Sequence, residues 1–350
     1  MDKLGKFFAN KKILITGNTG FIGSWLTLVL LNYRAKITGV SKDIGEKNGL
    51  FRILKIKKSI NFKILDLTNE KKVSQFLKKK NFDIIVHLAA EPLVYDGYQN
   101  PNNIIKNNIF STLNLLNSLK NKKYFLINFT TDKVYFNNNN KNKFFIEKDE
   151  LYGEDPYSFS KVTTDMMGRM WSQNFKFSKV INIRCGNVIG GSDWKQKRLI
   201  PDIIKKHYQA KKLNIRNLNS TRPWIHILEL SNLLLLLIKK KFKENFKFDV
   251  FNISPNNGEE KNVKWIIKCF EEHFDTKLDY SLESTFKEKE NLKLDNKKIF
   301  NFLEQKKKLS VNKRFELTFE WYQNFFDNNT HIKRKTLNQI NEVKKILFSK

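Results

Sequence analysis

Tyr157 and Lys161 are the residues of this sequence whose types and spacing best suit acid–base chemistry. They stand four positions apart at the start of a stretch, 158–175, that we predict to be a helix, so their side chains share one helical face. A free tyrosine has a pKa of about 10, and a neighbouring ammonium favours the phenolate. The pair is therefore predicted to take a proton from a substrate hydroxyl.

A second polar group, Thr131-Asp132-Lys133, follows the apolar stretch 124–130, which we predict to be a strand. Ligands of open α/β sheets bind outside the carboxyl ends of the strands. We therefore expect Thr131 to hydrogen-bond a substrate hydroxyl, Asp132 to act as an acid, and Lys133 to act as a base or as an electrostatic stabiliser. The alternative for these residues is a capped turn without a catalytic role.

Three glycines in a G-x-x-G-x-x-G pattern link the apolar run 11–16 to an apolar-rich stretch, 21–32. Glycine lets the backbone approach a pyrophosphate closely, and the start of the following helix offers free N–H groups. The pattern predicts dinucleotide binding by residues Gly17, Asn18, Thr19, Gly20, Phe21, Ile22 and Gly23.

The end of the second predicted strand bears on the choice of dinucleotide. An acid that binds the ribose 2′-hydroxyl is expected there, but Ser41 occupies the position and is followed by Lys42 and Asp43. Lys42 could meet a 2′-phosphate and Asp43 a hydroxyl, so we expect NAD and keep NADP as the alternative. Asp66, at the end of the third strand, is placed to accept from the adenine amino group or to cap a helix before Asn69.

The elements that must position these residues alternate along the chain, with strands near 11–16, 36–40, 62–65, 83–87, 124–130 and 179–184 and helices between them. This alternation predicts parallel βαβ units, hence an α/β fold with a doubly wound parallel sheet. Beyond about Gly186 it becomes irregular, which indicates a smaller substrate-binding part. We expect a dinucleotide-binding domain over 1–185 completed by a segment near 222–253, a second part over 186–221 and 254–325, and a charged tail over 326–350.

Composition narrows the possible classes of protein. Of 350 residues, 40% are hydrophobic, enough for a sizeable core, and no apolar run approaches the length of a membrane helix. The net charge of +30 comes mainly from scattered lysines without a nucleic-acid-binding module, so we expect no nucleic-acid partner. The spacing of the two cysteines fits neither a metal site nor a disulfide, so we expect no metal. The N-terminus has no signal-peptide pattern, and together with the cysteines this favours the cytosol.

Several longer strings carry a resemblance to a known family. They include His87-Leu88-Ala89-Ala90, the stretch 131–137, Gly186-Asn187-Val188-Ile189-Gly190-Gly191, and Thr221-Arg222-Pro223-Trp224. With the glycine turn and Tyr-x-x-x-Lys, they resemble the extended short-chain dehydrogenases acting on nucleotide sugars, and within them the group of CDP-glucose 4,6-dehydratases. The resemblance runs from about Lys11 to Leu236 and implies a Rossmann-type fold.

The resemblance also implies the reaction, in which CDP-glucose becomes CDP-4-keto-6-deoxyglucose by internal hydride transfer through tightly held NAD. Tyr157 removes the C4 hydroxyl proton, and Asp132 assists the loss of water from C6 after a base removes the C5 proton. It adds three groups of residues: Asn187, Arg198, Leu199, Arg216 and Arg222 for the substrate; Leu67, Leu88, Ala89 and Ala90 for the cofactor; and Asn108 to position its helix and a water. Relatives pair through two long helices, so we expect a homodimer.

Glu91-Pro92-Leu93-Val94-Tyr95 departs from the family's usual string, which ends in arginine, and this puts the exact sugar nucleotide in doubt. The alternatives are a nucleotide-sugar 4-epimerase and a dehydratase acting on another nucleotide hexose. A catalytically silent cofactor-binding scaffold is disfavoured because Tyr157 and Lys161 are both present.

Overall fold

The computed structural model describes residues 3–255, 257–283, 289–327 and 329–348. Contacts divide the chain into unit 1, made of Met1–Phe136, Glu147–Cys185 and Leu233–Asn252, and unit 2, made of Asn137–Ile146, Gly186–Asn232 and Ile253–Lys350. In chain order the helices and strands are α1 (Lys3–Phe8), β1 (Lys12–Thr16), α2 (Phe21–Asn32), β2 (Lys36–Ser41), α3 (Leu50–Ile53), β3 (Asn61–Ile64), α4 (Glu70–Lys78), β4 (Ile84–His87), α5 (Val94–Gln99), α6 (Pro101–Ile105), α7 (Ser111–Leu119), β5 (Tyr124–Phe129), α8 (Pro156–Asn174), β6 (Ser178–Cys185), β7 (Asn187–Ile189), α9 (Leu199–Tyr208), β8 (Leu213–Ile215), β9 (Thr221–Arg222), β10 (Trp224–His226), α10 (Ile227–Phe242), β11 (Phe248–Ile253), β12 (Lys261–Asn262), α11 (Val263–Phe274), β13 (Tyr280–Leu282), α12 (Lys297–Leu303), α13 (Val311–Asp327) and α14 (Ile332–Phe348).

Seven strands among the described residues form the sheet of unit 1, in the order β3-β2-β1-β4-β5-β6-β11. The pairings of β1 with β2 and β4, of β2 with β3, and of β5 with β4 and β6 are parallel. Every residue of β4 and β5 is buried, as expected for central strands covered on both faces. The predicted Rossmann-type doubly wound parallel sheet is confirmed.

The sheet builds outward from β1 in two directions, which fixes where a ligand can lie. The chain adds β2 and β3 on one side of β1 and then crosses to add β4, β5 and β6 on the other. Strand order therefore reverses between β1 and β4, and ligands of open α/β sheets bind at such a switch point, outside the carboxyl ends of the strands. The glycine turn follows β1 at this edge.

A cluster of apolar side chains on one face of the sheet forms part of the core of unit 1. Leu14, Ile85 and Leu126 from central strands pack with Val73 of α4 and Leu115 of α7. This packing holds the strands rigidly, so the residues at their carboxyl ends are positioned by a close-packed interior.

Unit 2 has short strand pairs and a helical core of its own. Strand β10 pairs with β7 and β13 with β8 in parallel, whereas β12 pairs with β9 antiparallel. The core centres on α13, where Phe315, Phe319, Trp321 and Tyr322 are each at most 1% exposed. Gly191 lies so close to the indole of Trp321 that an added Cβ would stand 2.0 Å from the ring.

Within the expected charged tail over 326–350, residues 332–348 form α14. The apolar residues Ile332, Ile340, Val343 and Leu347 recur at helical spacing and are buried. Thr336 between them accepts from the indole nitrogen of Trp321 at 3.0 Å. Lysines lie between these apolar positions in the sequence, so the stretch has a high charge although one face of the helix is apolar.

Two domain boundaries also differ from the expected ones. Residues 137–146 belong to unit 2, where Phe145 forms a bridge with Leu294 and Asn137 donates to the carbonyl of Asn291 at 2.7 Å. The segment that completes unit 1 begins at Leu233, inside α10, and not near 222. No described helix is long and apolar enough to cross a membrane.

Candidate active site

The start of α8 fixes the position of Tyr157. Asp155 caps the helix by accepting from the backbone N–H groups of Tyr157 at 2.9 Å and Ser158 at 3.0 Å, and Pro156 occupies the first turn, where its missing N–H costs nothing. Tyr157 is 8% exposed. The Asp-Pro-Tyr-Ser string is therefore a helix start that places the tyrosine at the first turn of α8.

Lys161 lies one turn further along α8 and is buried. Its ammonium donates to the backbone carbonyl of Phe129, the last residue of β5, at 2.7 Å. Burial lowers the pKa of Lys161 to about 8, against the opposing attraction of Asp165. The lysine thus ties the helix to the carboxyl end of β5.

The turn formed by Thr131, Asp132 and Lys133 follows β5 and packs against α8. Thr131 caps it: its hydroxyl oxygen accepts from the Lys133 N–H at 3.4 Å, and the hydroxyl donates to Asp132 Oδ1 at 3.0 Å. Asp132 is 2% exposed and Lys133 is half-buried. The structure therefore brings this turn and the helix of Tyr157 together at one edge of the sheet, and the predicted capped turn is present as well.

The glycine turn lies where the sequence predicts it, between β1 and α2. Gly17 has φ +69°, a conformation that favours glycine, and an added Cβ would stand 2.8 Å from the backbone nitrogen of Ala89. At Gly23 a Cβ would stand 2.3 Å from the carbonyl oxygen of Gly17. The turn is thus packed backbone on backbone, and Gly20 leads directly into the first turn of α2.

The two residues predicted at the adenosine end have local partners. Ser41 donates to Asn18 Oδ1 at 3.0 Å and accepts from the Thr19 N–H at 3.2 Å, so it braces the glycine turn. Asp66 accepts from both the backbone N–H and the hydroxyl of Thr68 at 2.8 Å.

The cap of α4 is Asn69, which accepts from the Lys72 N–H. Asp66 is therefore not the N-cap of this helix. The carbonyl of Leu67 accepts from Asn114 at 2.9 Å. This contact ties the segment that follows β3 to α7.

Asn108 joins the segment after β4 to α8. Its side-chain amide accepts from the Glu91 N–H at 2.7 Å and donates to the Ser160 hydroxyl at 2.9 Å. It lies in a π-helical turn, Lys106–Phe110, which stands between α6 and α7. Such turns occur often at functional sites, and this one orients the predicted positioning residue.

His87 is a link that the sequence did not reveal. The Thr112 hydroxyl donates to the Asn108 carbonyl at 2.9 Å, so its oxygen accepts from His87 Nε2–H at 3.0 Å. His87 Nδ1 then accepts from the Thr16 hydroxyl at 2.7 Å. Burial, and secondarily Lys161, lowers the pKa of His87 to about 3, so the ring is a neutral connector.

Through Thr16 this connection reaches the segment after β4. The Thr16 hydroxyl oxygen accepts from the N–H groups of Leu88 and Ala89, both at 3.2 Å. These residues and Ala90 directly follow β4 beside the glycine turn. The segment and the turn are therefore held in one fixed arrangement.

A buried ion pair behind Lys161 was also missed. Asp165, four residues after Lys161, receives Arg184 Nη2 at 2.8 Å and Nε at 3.0 Å, and Thr130 donates to it at 3.1 Å. Arg184 also donates to the Tyr135 hydroxyl at 3.1 Å. The i,i+4 spacing of Asp165 from Lys161 was the available signal for the aspartate. Its partner Arg184 comes from β6, so only the fold brings the two residues together.

The five residues predicted for the nucleotide belong to unit 2. Arg198 Nη1 is 2.8 Å from Asp193 Oδ2, and Arg216 donates to the Lys197 carbonyl at 3.1 Å. Asn187 begins β7 and Leu199 begins α9.

Arg222 is buried, and its contacts are mainly with backbone carbonyls. Its guanidinium donates to those of Thr221, Glu290 and Lys289 at 2.9, 3.0 and 2.7 Å. These contacts fix the guanidinium within unit 2.

The donor set at the carboxyl edge of unit 1 fits a dinucleotide. The first turn of α2 supplies backbone N–H groups and a positive dipole for a pyrophosphate, directly after a turn that side chains larger than glycine would obstruct. Lys161 and Tyr157 lie at the other end of the same edge. Residues 17–23 would therefore hold the phosphates, and the pair on α8 would face the reactive end.

Comparison with known proteins agrees with this geometry. Residues 13–254 match the model of the NAD dependent epimerase/dehydratase family. A CDP-glucose 4,6-dehydratase from Salmonella typhimurium is 32% identical over 273 residues, 75% of this chain and 76% of that protein. Two crystal structures have the same fold: a UDP-glucuronic acid 4-epimerase from Bacillus cereus with NAD (TM-score 0.79, 23% identity, 90% of this chain and 99% of that one) and a dTDP-glucose 4,6-dehydratase from Bacillus anthracis with NAD (TM-score 0.74, 22% identity, 93% and 99%). The chain belongs to the NAD dependent epimerase/dehydratase family.

Proposed function

We propose that the protein is a nucleotide-sugar 4,6-dehydratase that converts CDP-glucose to CDP-4-keto-6-deoxyglucose with NAD. The observation that carries the proposal is the packing of the Thr131–Asp132–Lys133 turn against the helix that bears Tyr157 and Lys161. Loss of water from a sugar needs an acid beside the departing hydroxyl, which a simple 4-epimerase does not need. The similarity to the Salmonella typhimurium enzyme supports CDP-glucose as the substrate.

Each residue of this arrangement has a defined task in the proposed reaction. Tyr157, as a phenolate favoured by the Lys161 ammonium, takes the proton of the C4 hydroxyl. Bound NAD supplies the hydride acceptor for C4 and later the hydride donor for C6. The C4 ketone acidifies the C5–H bond, and Lys133 removes that proton or stabilises the enolate formed when another base removes it. A proton returns to C5 when hydride is delivered to C6. Asp132 protonates the C6 hydroxyl, which leaves as water.

The nucleotide contacts are proposed from the resemblance alone. Asn187 and Arg222 are assigned to the diphosphate, where a guanidinium suits two anionic groups. Arg198, Leu199 and Arg216 are assigned to the nucleotide base.

The substrate assignment is tested by supplying the purified protein and NAD with CDP-, dTDP-, UDP- or GDP-glucose. CDP-glucose should give the alkaline absorbance of a 4-keto-6-deoxy sugar at the highest kcat/KM. A higher value with another nucleotide would overturn the choice of CDP. Formation of CDP-galactose instead of the keto sugar would show a 4-epimerase.

The role of Asp132 has its own test. Asp132→Asn keeps the size of the side chain and removes the acid, so water loss should slow by about 10²-fold or more. The first oxidation should persist, and the absorbance of the reduced dinucleotide should accumulate. Asp279→Asn, at an exposed position of unit 2, is the matched control and should behave as wild type. Full-speed dehydration by Asp132→Asn would contradict the assignment.

We further propose that the protein is a homodimer joined through α8. Phe159, Met166 and Met170 recur on one face of this helix and are 48%, 59% and 43% exposed, and Phe110 on the adjacent π-helical turn is 48% exposed. A second copy of the same face would cover this apolar stripe. Wild type should sediment as a dimer and Met166→Asp as a monomer, whereas a monomeric wild type would contradict the proposal.

We assign the reaction to the cytosol. Cys185 and Cys269 are both free thiols, and Cys185 is buried. Unpaired thiols are typical of a reducing compartment. Fractionation of cells that express the tagged protein should place it in the cytosolic fraction.

A further inference from the structure

The carboxyl end of β2 lacks the acid that commonly selects NAD. In doubly wound domains an Asp or Glu there binds the ribose 2′-hydroxyl, whereas a nearby cationic side chain accommodates the 2′-phosphate of NADP. Here Ser41 stands at that position, and its hydroxyl is engaged with Asn18 and Thr19 of the glycine turn. Ser41 therefore presents no charge that would repel a 2′-phosphate, and the selection must be made by other residues.

Lys42, the next residue, carries the cation that a 2′-phosphate would need. Its ammonium forms an ion pair with Glu91, which follows β4. The side chain of Lys42 is 60% exposed and that of Glu91 is 16% exposed, so the carboxylate is the more firmly placed partner. Because its side chain is long and mostly exposed, the lysine can exchange this partner for a ligand.

The strand order places this pair beside the dinucleotide turn. Lys42 follows β2 and Glu91 follows β4, and these two strands flank β1, which leads into the turn. Asp66 follows β3 on the outer side. The ion pair thus spans the edge of the sheet at which the adenosine half of a dinucleotide is expected.

Three carboxylates act on the ammonium of Lys42. Partial burial opposes the ammonium, but Glu91, Asp43 and Asp66 together outweigh that effect and raise the pKa of Lys42 above its ordinary value. One cation therefore faces three carboxylates. A 2′-phosphate, which carries up to two further negative charges, would be repelled there, while the neutral 2′-hydroxyl of NAD would not be.

We propose that Glu91 makes this protein select NAD over NADP by engaging Lys42, the one residue next to Ser41 that could bind a 2′-phosphate. Release of Lys42 should admit NADP, because an ammonium that is free to bind a phosphate forms a charge-assisted hydrogen bond. The expected gain in NADP affinity is about tenfold to a hundredfold.

The test is the binding of NAD and NADP to the full chain, measured by calorimetry on protein freed of dinucleotide. Wild type should bind NAD more tightly. Glu91→Gln keeps the size of the side chain and removes its charge. It should raise the affinity for NADP about tenfold or more and change the affinity for NAD by no more than about twofold. The gain should shrink as salt is raised, because it is electrostatic.

Two further variants separate this effect from a general change in charge. Lys42→Met combined with Glu91→Gln should lose the gain, because the ammonium that binds the phosphate is absent. Glu272→Gln removes the same charge from the exposed Lys268–Glu272 pair of α11 and should change neither affinity. Melting temperatures of all variants show whether each is folded.

An unchanged NADP affinity in Glu91→Gln overturns the proposal. Equal tightening of NAD and NADP, or a gain that persists without Lys42, overturns it as well. These measurements involve dinucleotides alone and no sugar nucleotide. Their outcome is therefore independent of whether CDP-glucose is the substrate.

Discussion

The carboxyl ends of the strands in unit 1 carry two ion pairs that differ in burial. We call the region beside β5 and β6 the inner end and the region beside β2 the outer end. At the inner end, beside β5 and β6, Arg184 is 4% exposed and makes two bonds to Asp165, which is 2% exposed. At the outer end, beside β2, the side chain of Lys42 is 60% exposed and reaches Glu91, whose side chain is 16% exposed. The inner pair is fixed before any ligand arrives, as the proposed proton transfer requires, whereas the outer pair is proposed to exchange partners and so to select a ligand.

This difference predicts where a substitution acts on rate, where on stability and where on ligand choice. A buried pair costs much to break because the remaining charge cannot be solvated. An exposed pair costs little because water replaces the lost partner.

The largest effect is expected at the inner end, from Tyr157→Phe. The change removes only the hydroxyl proposed to act as base, so turnover should fall by about 10²- to 10⁴-fold. Dinucleotide affinity and melting temperature should stay near those of wild type. Steady-state kinetics and calorimetry measure the three quantities.

Tyr280→Phe is the matched control, since it removes a hydroxyl from a tyrosine on β13 of unit 2. It should leave turnover unchanged. Near-normal turnover in Tyr157→Phe would show that the inner end does not carry the chemistry.

The next largest effect is expected on stability, from Arg184→Met. Asp165 would keep its buried charge without its ionic partner, so the free energy of unfolding should fall by about 3–5 kcal/mol. Urea unfolding followed by circular dichroism measures the change. The double variant with Asp165→Asn should recover part of the loss because no uncompensated charge remains. A double variant no more stable than Arg184→Met would mean that shape, and not charge, holds this end.

The pH dependence of Lys161 should be intermediate in size. Its pKa is about 8 in the folded chain, below the ordinary 10.5, because the ammonium is buried. Between these values the unfolded chain binds more protons, so this group makes stability rise with pH through that window, and its full cost is present below pH 8. The stability of wild type relative to Lys161→Met should therefore increase from pH 8 towards 10, by at most about 1.4 kcal/mol per pH unit.

Two checks bound that result. Lys268→Met, at an exposed position of α11, should show no such rise relative to wild type. For catalysis the sign is reversed, since the ammonium proposed to support Tyr157 is lost above pH 8 and kcat/KM should decline there. A constant stability difference from pH 8 to 10 would show that Lys161 keeps an ordinary pKa.

The sequence predicted those elements and residue pairs whose pattern lies within one short segment of the chain. The helix 21–32 was predicted with the bounds that the structure shows, because an apolar run begins directly after the glycine turn. The fully buried strands β4 and β5 were found from equally compact apolar runs. The Tyr157–Lys161 pair was found because its spacing is a property of one helix.

What the sequence missed depends on contacts between distant segments. Arg184 meets Asp165, Glu91 meets Lys42, and His87 meets Thr112, each pair being joined only by the fold. The π-helical turn at 106–110 was missed because nothing in its local pattern marks an extra residue in the helix.

The smallest effect is expected at the outer end, where Lys42→Met should lower the free energy of unfolding by less than about 1 kcal/mol. The loss should fade further as salt is raised, because exposed charges are screened. Lys241→Met is the informative comparison: Lys241 is 8% exposed and pairs with Glu244 at 2.8 Å and Asp249 at 2.9 Å, so its loss should cost more and depend less on salt. Urea unfolding of both variants at low and high salt measures these differences. If Lys42→Met costs as much as Lys241→Met, the outer pair is a structural contact, and a ligand could not take Lys42 from Glu91 without a loss of stability.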